Sequence, residues 1–211
     1  MISIPEFLYR GDSDSKQERH LHELYNPNIN GGYSSSGLLM TNLNNSGKGK
    51  AIFDTSFQEL VQSHVSPGWE KTHFLSFSEC EERAKFFGSG GKEYFPYMGE
   101  NKWDFLLLTF SLNCMTSIYK KEIFHGVYYI EYDTSRIEFN FKAKILLMNL
   151  KEYLKELKRL NINILPEQIE NVNRDKEWLI LPINEFAKGE FSYKIATECI
   201  NQIDYYTCIN Q

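Results

Sequence analysis

Hydrophobic and polar positions alternate between two periods along this chain. Phe7-Leu8-Tyr9-Arg10 has the dense, bulky pattern of a short strand, and Gly11-Asp12-Ser13 ends it. Ser15 with Glu18 three positions on forms a capping box, and Leu21, Leu24 and Tyr25 recur on one helical face behind it. Residues 26–50 are rich in Asn, Gly and Ser without a sustained period, which predicts a long surface loop. Loops of that length inside a domain are usually functional. A second capping box, Ser56 and Glu59, opens a helix with Phe57, Leu60, Val61 and Val65 on its apolar face, stopped by Pro67-Gly68. The strand His73-Phe74-Leu75-Ser76-Phe77 then runs into a third box, Ser78 and Glu81. A helix with Cys80, Ala84 and Phe87 on one face follows, and Gly88 stands where a left-handed terminating residue is expected.

Farther on, Trp103 to Leu112 and Gly126 to Asp133 read as strands, and Ile137 to Met148 supplies another. Asn149 opens an amphipathic helix with Leu150, Tyr153, Leu154, Leu157 and Leu160 on one side. Pro166 breaks that pattern, and a polar stretch leads to Lys176. Trp178-Leu179-Ile180-Leu181 forms a last strand before Pro182. Helices early and strands late predict an α+β fold rather than alternating βαβ units. No repeat or linker divides residues 1–211, so one domain is expected.

Composition narrows the classes. With 42% hydrophobic, 24% charged and 15% aromatic residues, the chain has the makings of a packed core. A net charge of −5 without a dense Lys/Arg tract counts against tight, non-specific nucleic-acid binding, while leaving room for a local basic patch. Cys80, Cys114, Cys199 and Cys208 form no CxxC pair, so free buried thiols are expected. The start, Met1 to Glu6, lacks the features of a secretory signal, and the apolar run Phe105 to Leu108 is too short to span a bilayer. The expectation is a cytoplasmic protein, or one delivered to a cytosol by other machinery, without membrane partners. His20 and His22 point different ways on their helix, and His64, His73 and His125 are scattered. No metal site is therefore expected. The glycine pairs lack the Gly-Lys-Ser/Thr ending of a phosphate loop.

Three segments stand out together. They are Tyr9-Arg10-Gly11-Asp12; Phe74-Leu75-Ser76-Phe77-Ser78 running into Glu82-Arg83-Ala84-Lys85-Phe86-Phe87; and Asp175-Lys176-Glu177-Trp178. In this order they resemble the Arg, Ser-x-Ser and Glu signatures of mono-ADP-ribosyltransferases, in the cholera-toxin-like and pierisin-like branch. The Glu59-Leu60-Val61 and His64-Val65 segment agrees with a helix that family members carry ahead of the Ser motif. Phe77 replaces the Thr common at the motif's centre.

The resemblance implies a split, bent β-sandwich with flanking helices around an NAD cleft. It implies cleavage of NAD, as co-substrate and without metal, and transfer of ADP-ribose to a macromolecular acceptor. Glu177 would stabilise an oxocarbenium-like ribose and Ser76 would orient that carboxylate. Arg10 would anchor phosphate or ribose, and Gly11 would let the backbone approach the nicotinamide amide. Ser78 maps to the motif's last Ser, where helix capping also accounts for it. Asp175 departs from the Glu or Gln of relatives. Strand alternation places its carboxylate on one face with that of Glu177, and with one fewer methylene it could activate a nucleophile only if the target came closer. Asn173 and Arg174 fall in the family's substrate-recognition loop. The setting implied is a bacterial or phage-related toxin or defence effector, with an antitoxin or inhibitor protein as a partner. The acceptor, protein or nucleic acid, stays open. So do two alternatives: an NAD glycohydrolase using water, and a non-catalytic binding module of the same fold.

Overall fold

The structure is a computed structural model that describes residues 3–13, 58, 61–62, 64–65, 75–89, 105–113, 118–133, 142–182 and 200–206. Its elements are β1 (Leu8–Ser13), β2 (Leu75–Ser78), α1 (Glu81–Gly88), β3 (Phe105–Phe110), β4 (Tyr119–Phe124), β5 (Val127–Asp133), β6 (Lys142–Asn149), α2 (Leu150–Arg159), α3 (Pro166–Asp175), β7 (Glu177–Pro182) and β8 (Ile200–Tyr206). Gln58, Val61, Gln62, His64 and Val65 also have helical backbone. The expected helix over Ser15 to Tyr25, the loop of residues 26–50 and the Pro67-Gly68 stop lie outside the described residues, as do Cys114, Cys199 and Cys208.

Among the described residues the strands form one open, eight-stranded antiparallel sheet in the order β4-β5-β6-β7-β2-β1-β3-β8, and the class is α+β. Strand pleat sends alternate side chains to opposite faces, and both faces are buried. Leu146, Met148 and Leu179 join Val127, Tyr153, Leu154 and Leu157 in one core beneath α2 and α3. Their neighbours Ile145, Leu147, Trp178 and Ile180 join Leu8, Phe77, Phe110 and Ile130 in the other. Burial on both faces explains why β3 and β6 read as apolar runs rather than as alternation.

α2 starts where expected, the Asn149 side chain accepting from the Glu152 amide at 3.1 Å. Leu160 does not belong to its buried face. It follows the last helical residue and is 47% exposed. The β4–β5 turn is closed by Gly126 at φ 75°, a conformation that glycine adopts without strain.

Two expectations are corrected here. The polar stretch after Pro166 is a helix: Pro166 occupies its first turn, where the missing N–H costs nothing. Only Gln168 and Val172 of that helix are fully buried, so its apolar stripe is too thin to register as a period. Gly88 does not end α1 in a left-handed conformation. Its α-carbon lies against the Phe105 ring and Gly11, where an added Cβ would come within 2.5 Å of a ring carbon.

Candidate active site

The site forms at the middle of the sheet, where β2 pairs with β7 and brings the two halves of the chain together. Ser76 lies opposite Leu179, and Ser78 opposite both Glu177 and Tyr9. Phe77 points into the core, as the pleat requires, so Ser76 and Ser78 face the other way.

Ser76 and Glu177, separated by 101 positions, meet directly: the Ser76 hydroxyl donates to Glu177 Oε1 at 2.6 Å. The Arg10 guanidinium donates to the Ser76 carbonyl oxygen at 3.0 Å. Thus Arg10, Ser76 and Glu177, the three residues singled out in sequence, stand together on neighbouring strands.

A fourth residue joins them without a signal strong enough to single it out. His64 Nε2 lies 2.8 Å from Ser76 Oγ and 3.0 Å from Glu177 Oε1. Since the Ser76 hydrogen goes to the carboxylate, both oxygens facing the ring are acceptors, and Nε2 must carry the proton. His64 therefore donates to the same oxygen that Ser76 does. Val61 and Val65 of its helical segment are buried in the α2–α3 core, and Gln168 Nε2 of α3 donates to the Gln62 carbonyl at 3.2 Å. The position of His64 is thereby fixed from behind. Its place three residues after Val61 on a helix just ahead of the Ser motif was the only clue in sequence.

Glu177 is held from the other side as well. Trp178 is fully buried, its ring stacked 6.2 Å from that of Tyr128, and its indole N–H donates to Glu79. Among the described residues no donor reaches Glu177 Oε2, and the side chain retains 18% of its exposure. One carboxylate oxygen, Oε1, is thus clamped by two donors.

The remaining expected site residues make the following contacts. Ser78 is 5% exposed; its hydroxyl donates to the Asp175 carbonyl at 2.6 Å and accepts from the Cys80 amide at 2.9 Å. It makes no capping box with Glu81, because Cys80 is the residue that caps α1. Its hydroxyl is engaged in joining β2 to the α3–β7 turn, a junction completed by Glu79 N–H donating to the Lys176 carbonyl at 3.1 Å. Gly11 packs its α-carbon against α1, where a Cβ would fall 1.9 Å from the Ala84 carbonyl oxygen. Helix packing alone requires glycine there.

Asp175 is not on the strand. It ends α3, Lys176 follows with left-handed backbone (φ 47°, ψ 50°), and β7 starts at Glu177. Strand alternation therefore does not relate Asp175 to Glu177. The Asp175 carboxylate accepts from Arg83 at 2.6 and 3.0 Å and from Arg174 at 2.9 and 3.0 Å. Asn173 and Arg174 lie exposed on the last turn of α3 rather than in a loop. Arg83 also sits over the rings of Phe86 and Phe87, at 4.3 and 5.1 Å.

No family model, curated protein or solved structure matches this chain.

Proposed function

We propose that this chain is an NAD-dependent mono-ADP-ribosyltransferase. The observation that carries the reading is the clamped carboxylate: Glu177 Oε1 accepts from both Ser76 and His64, while Arg10 bonds the strand that bears Ser76. The finer fold expectation, a bent β-sandwich around a dinucleotide cleft, is part of the same proposal.

The chemistry suits the donor set. Breaking the bond between the ribose anomeric carbon and the nicotinamide nitrogen sends its electron pair into the cationic ring, which leaves neutral. Positive charge builds on the ribose, much as in glycoside hydrolysis. A carboxylate whose position is fixed beforehand stabilises that charge without reorganising. Ser76 and His64 supply the fixing, since hydrogen bonds to a charged group contribute about 1.5–3 kcal/mol each. Oε2 is left to accept from a ribose hydroxyl. Arg10 brings a planar fork suited to phosphate oxygens at the edge of the same site. The acceptor's nucleophilic atom then bonds the anomeric carbon and gives up its proton.

Incubating the purified protein with NAD, with and without a cell lysate, tests the reading. Nicotinamide release accompanied by ADP-ribose bound to macromolecules is expected. Free ADP-ribose at full rate without lysate would favour hydrolysis. No release under any condition would favour a binding module.

A further inference from the structure

Resting on the transferase reading, we infer that Arg83 and Asp175 are positioning residues, whose ion pair sets where Glu177 stands relative to Arg10 across a narrow joint in the sheet. β2 is that joint. On one side of it lie β7, β6, β5 and β4, and on the other β1, β3 and β8. Among the described residues β2 pairs with β7 at four positions but with β1 at one, Tyr9 with Ser78. Glu177 belongs to the first side and Arg10 to the second, so the site straddles the joint. Neighbouring strands differ in twist by about 10° to 35°, and one register pair does little to select a value. Side chains that cross the joint then decide it.

The ion pair is such a crossing. α1 is seated on the Arg10 side, where Gly11 of β1 admits the Ala84 backbone and Gly88 admits the Phe105 ring of β3. From α1, Arg83 reaches the turn that leads into β7, its Nε and Nη2 both donating to Asp175 Oδ1, at 3.0 and 2.6 Å. The pair is sheltered, the Arg83 side chain 22% exposed and that of Asp175 13%, so salt screens it less than it screens open surface pairs. The Phe86 and Phe87 rings, 4.3 and 5.1 Å from the guanidinium carbon, restrict the directions its planar fork can take. Arg174 also donates to Asp175, but it is the neighbouring residue of the same helix and ties no second element to it. The hold reaches Glu177 through the backbone. Asp175 ends α3, Lys176 turns left-handed at φ 47°, and Glu177 opens β7. A residue with a Cβ adopts that conformation reluctantly, so the shape of the turn depends on the bonds around it. The Ser78 hydroxyl and the Glu79 amide hold it from the end of β2, and Arg83 holds it from the Arg10 side. Loosening the pair displaces the Glu177 carboxylate while leaving its charge in place.

The test follows nicotinamide release and label transfer from NAD labelled in the adenosine half, with cell lysate supplying the acceptor. It compares the full chain with Arg83→Ala, Arg83→Lys and Asp175→Asn at equal folded concentration. Arg83→Ala and Asp175→Asn should each lower kcat for release by about 10- to 100-fold, the scale of a carboxylate misplaced by about 1 Å. KM for NAD and the label transferred per nicotinamide released should hardly change. Arg83→Lys keeps the charge and loses the fork, so its rate should fall between; it also carries the comparison should Arg83→Ala fail to fold. Combining Arg83→Ala with Asp175→Asn should cost no more than the worse of the two, and in Glu177→Gln protein Arg83→Ala should add less than about twofold, since the group it positions is already gone. Parent-rate release from the Arg83 and Asp175 variants overturns this inference alone. So does a full loss persisting in Glu177→Gln protein, and so does lowered transfer with unchanged release, which would put Asp175 at the acceptor. Absence of nicotinamide release from the parent chain overturns the transferase reading and this inference with it.

Discussion

At the scale of single residues, one carboxylate oxygen is the focus. Ser76 and His64 both donate to Glu177 Oε1, so removing either loosens the group without deleting its charge. His64→Ala should lower kcat for nicotinamide release by about 10- to 100-fold, the equivalent of one hydrogen bond to a charged group. KM for NAD should change little, because the lost bond holds the carboxylate and not the dinucleotide. Steady-state kinetics on the two proteins check this; a raised KM with unchanged kcat would place His64 in binding instead. Arg10, Ser76 and Glu177 were readable in sequence because each sits in a short motif. His64 was not, because its partner Glu177 lies 113 positions away and a helical histidine ahead of a strand carries no chemical signature. Asp175 misled for a local reason: one left-handed residue, Lys176, separates it from the strand that its spacing suggested.

At the scale of elements, the site depends on how closely α1 rests on β1. Gly11→Ala would drive a methyl group to 1.9 Å from the Ala84 carbonyl oxygen, a backbone atom that has no rotamer to yield. A destabilisation of about 3 kcal/mol or more is expected, lowering the melting temperature by roughly 10 °C in a chain of this length. Thermal denaturation followed by circular dichroism measures it, and an unchanged midpoint would mean that α1 shifts freely. The first turn of α2 carries a pH dependence. Burial pushes the Glu152 carboxyl up, but hydrogen bonds and charge from Lys155 and His125 outweigh it, leaving it below its ordinary value of 4.5. A carboxylate lowered on folding stabilises the fold above its unfolded pKa, and that contribution is lost as pH falls through the folded value. Glu152→Gln should therefore lower the melting temperature at neutral pH, with the difference from the parent shrinking as pH drops below about 4.5. A constant difference across that range would contradict the assignment. α2 was readable because four apolar residues share one face behind an Asn cap; α3 was hidden by its polar surface and by a proline that starts a helix as readily as it stops one.

At the scale of the whole molecule, a single sheet carries a core on each face, and β6 serves both. Leu146 and Leu147 are adjacent in sequence yet belong to opposite cores. Leu146→Ala and Leu147→Ala should each cost about 2–5 kcal/mol, and each variant should still melt in one transition. Two separate transitions would mean that the cores fold independently. Buried strands were visible in the sequence as apolar runs, whereas the edge strands were not. β4, Tyr119-Lys120-Lys121-Glu122-Ile123-Phe124, alternates little and carries the charges that protect an exposed edge. β8, Ile200–Tyr206, interleaves Asn, Gln and Asp with its apolar residues. The strand order that brings β2 beside β7, and so Ser76 to Glu177, follows from pairing across the whole chain and leaves no mark on any local window.

If the clamped Glu177 carboxylate stabilises ribose as nicotinamide departs, the rate of release depends on its charge. Nicotinamide release from NAD by the parent protein and by Glu177→Gln, at equal folded concentration, tests it most directly. Glutamine keeps the shape and loses the charge, so the rate should fall by about 10²–10³, the scale of removing a preorganised electrostatic contact at the reacting centre, while the melting temperature stays within a few degrees. A variant turning over at the parent rate would contradict the account.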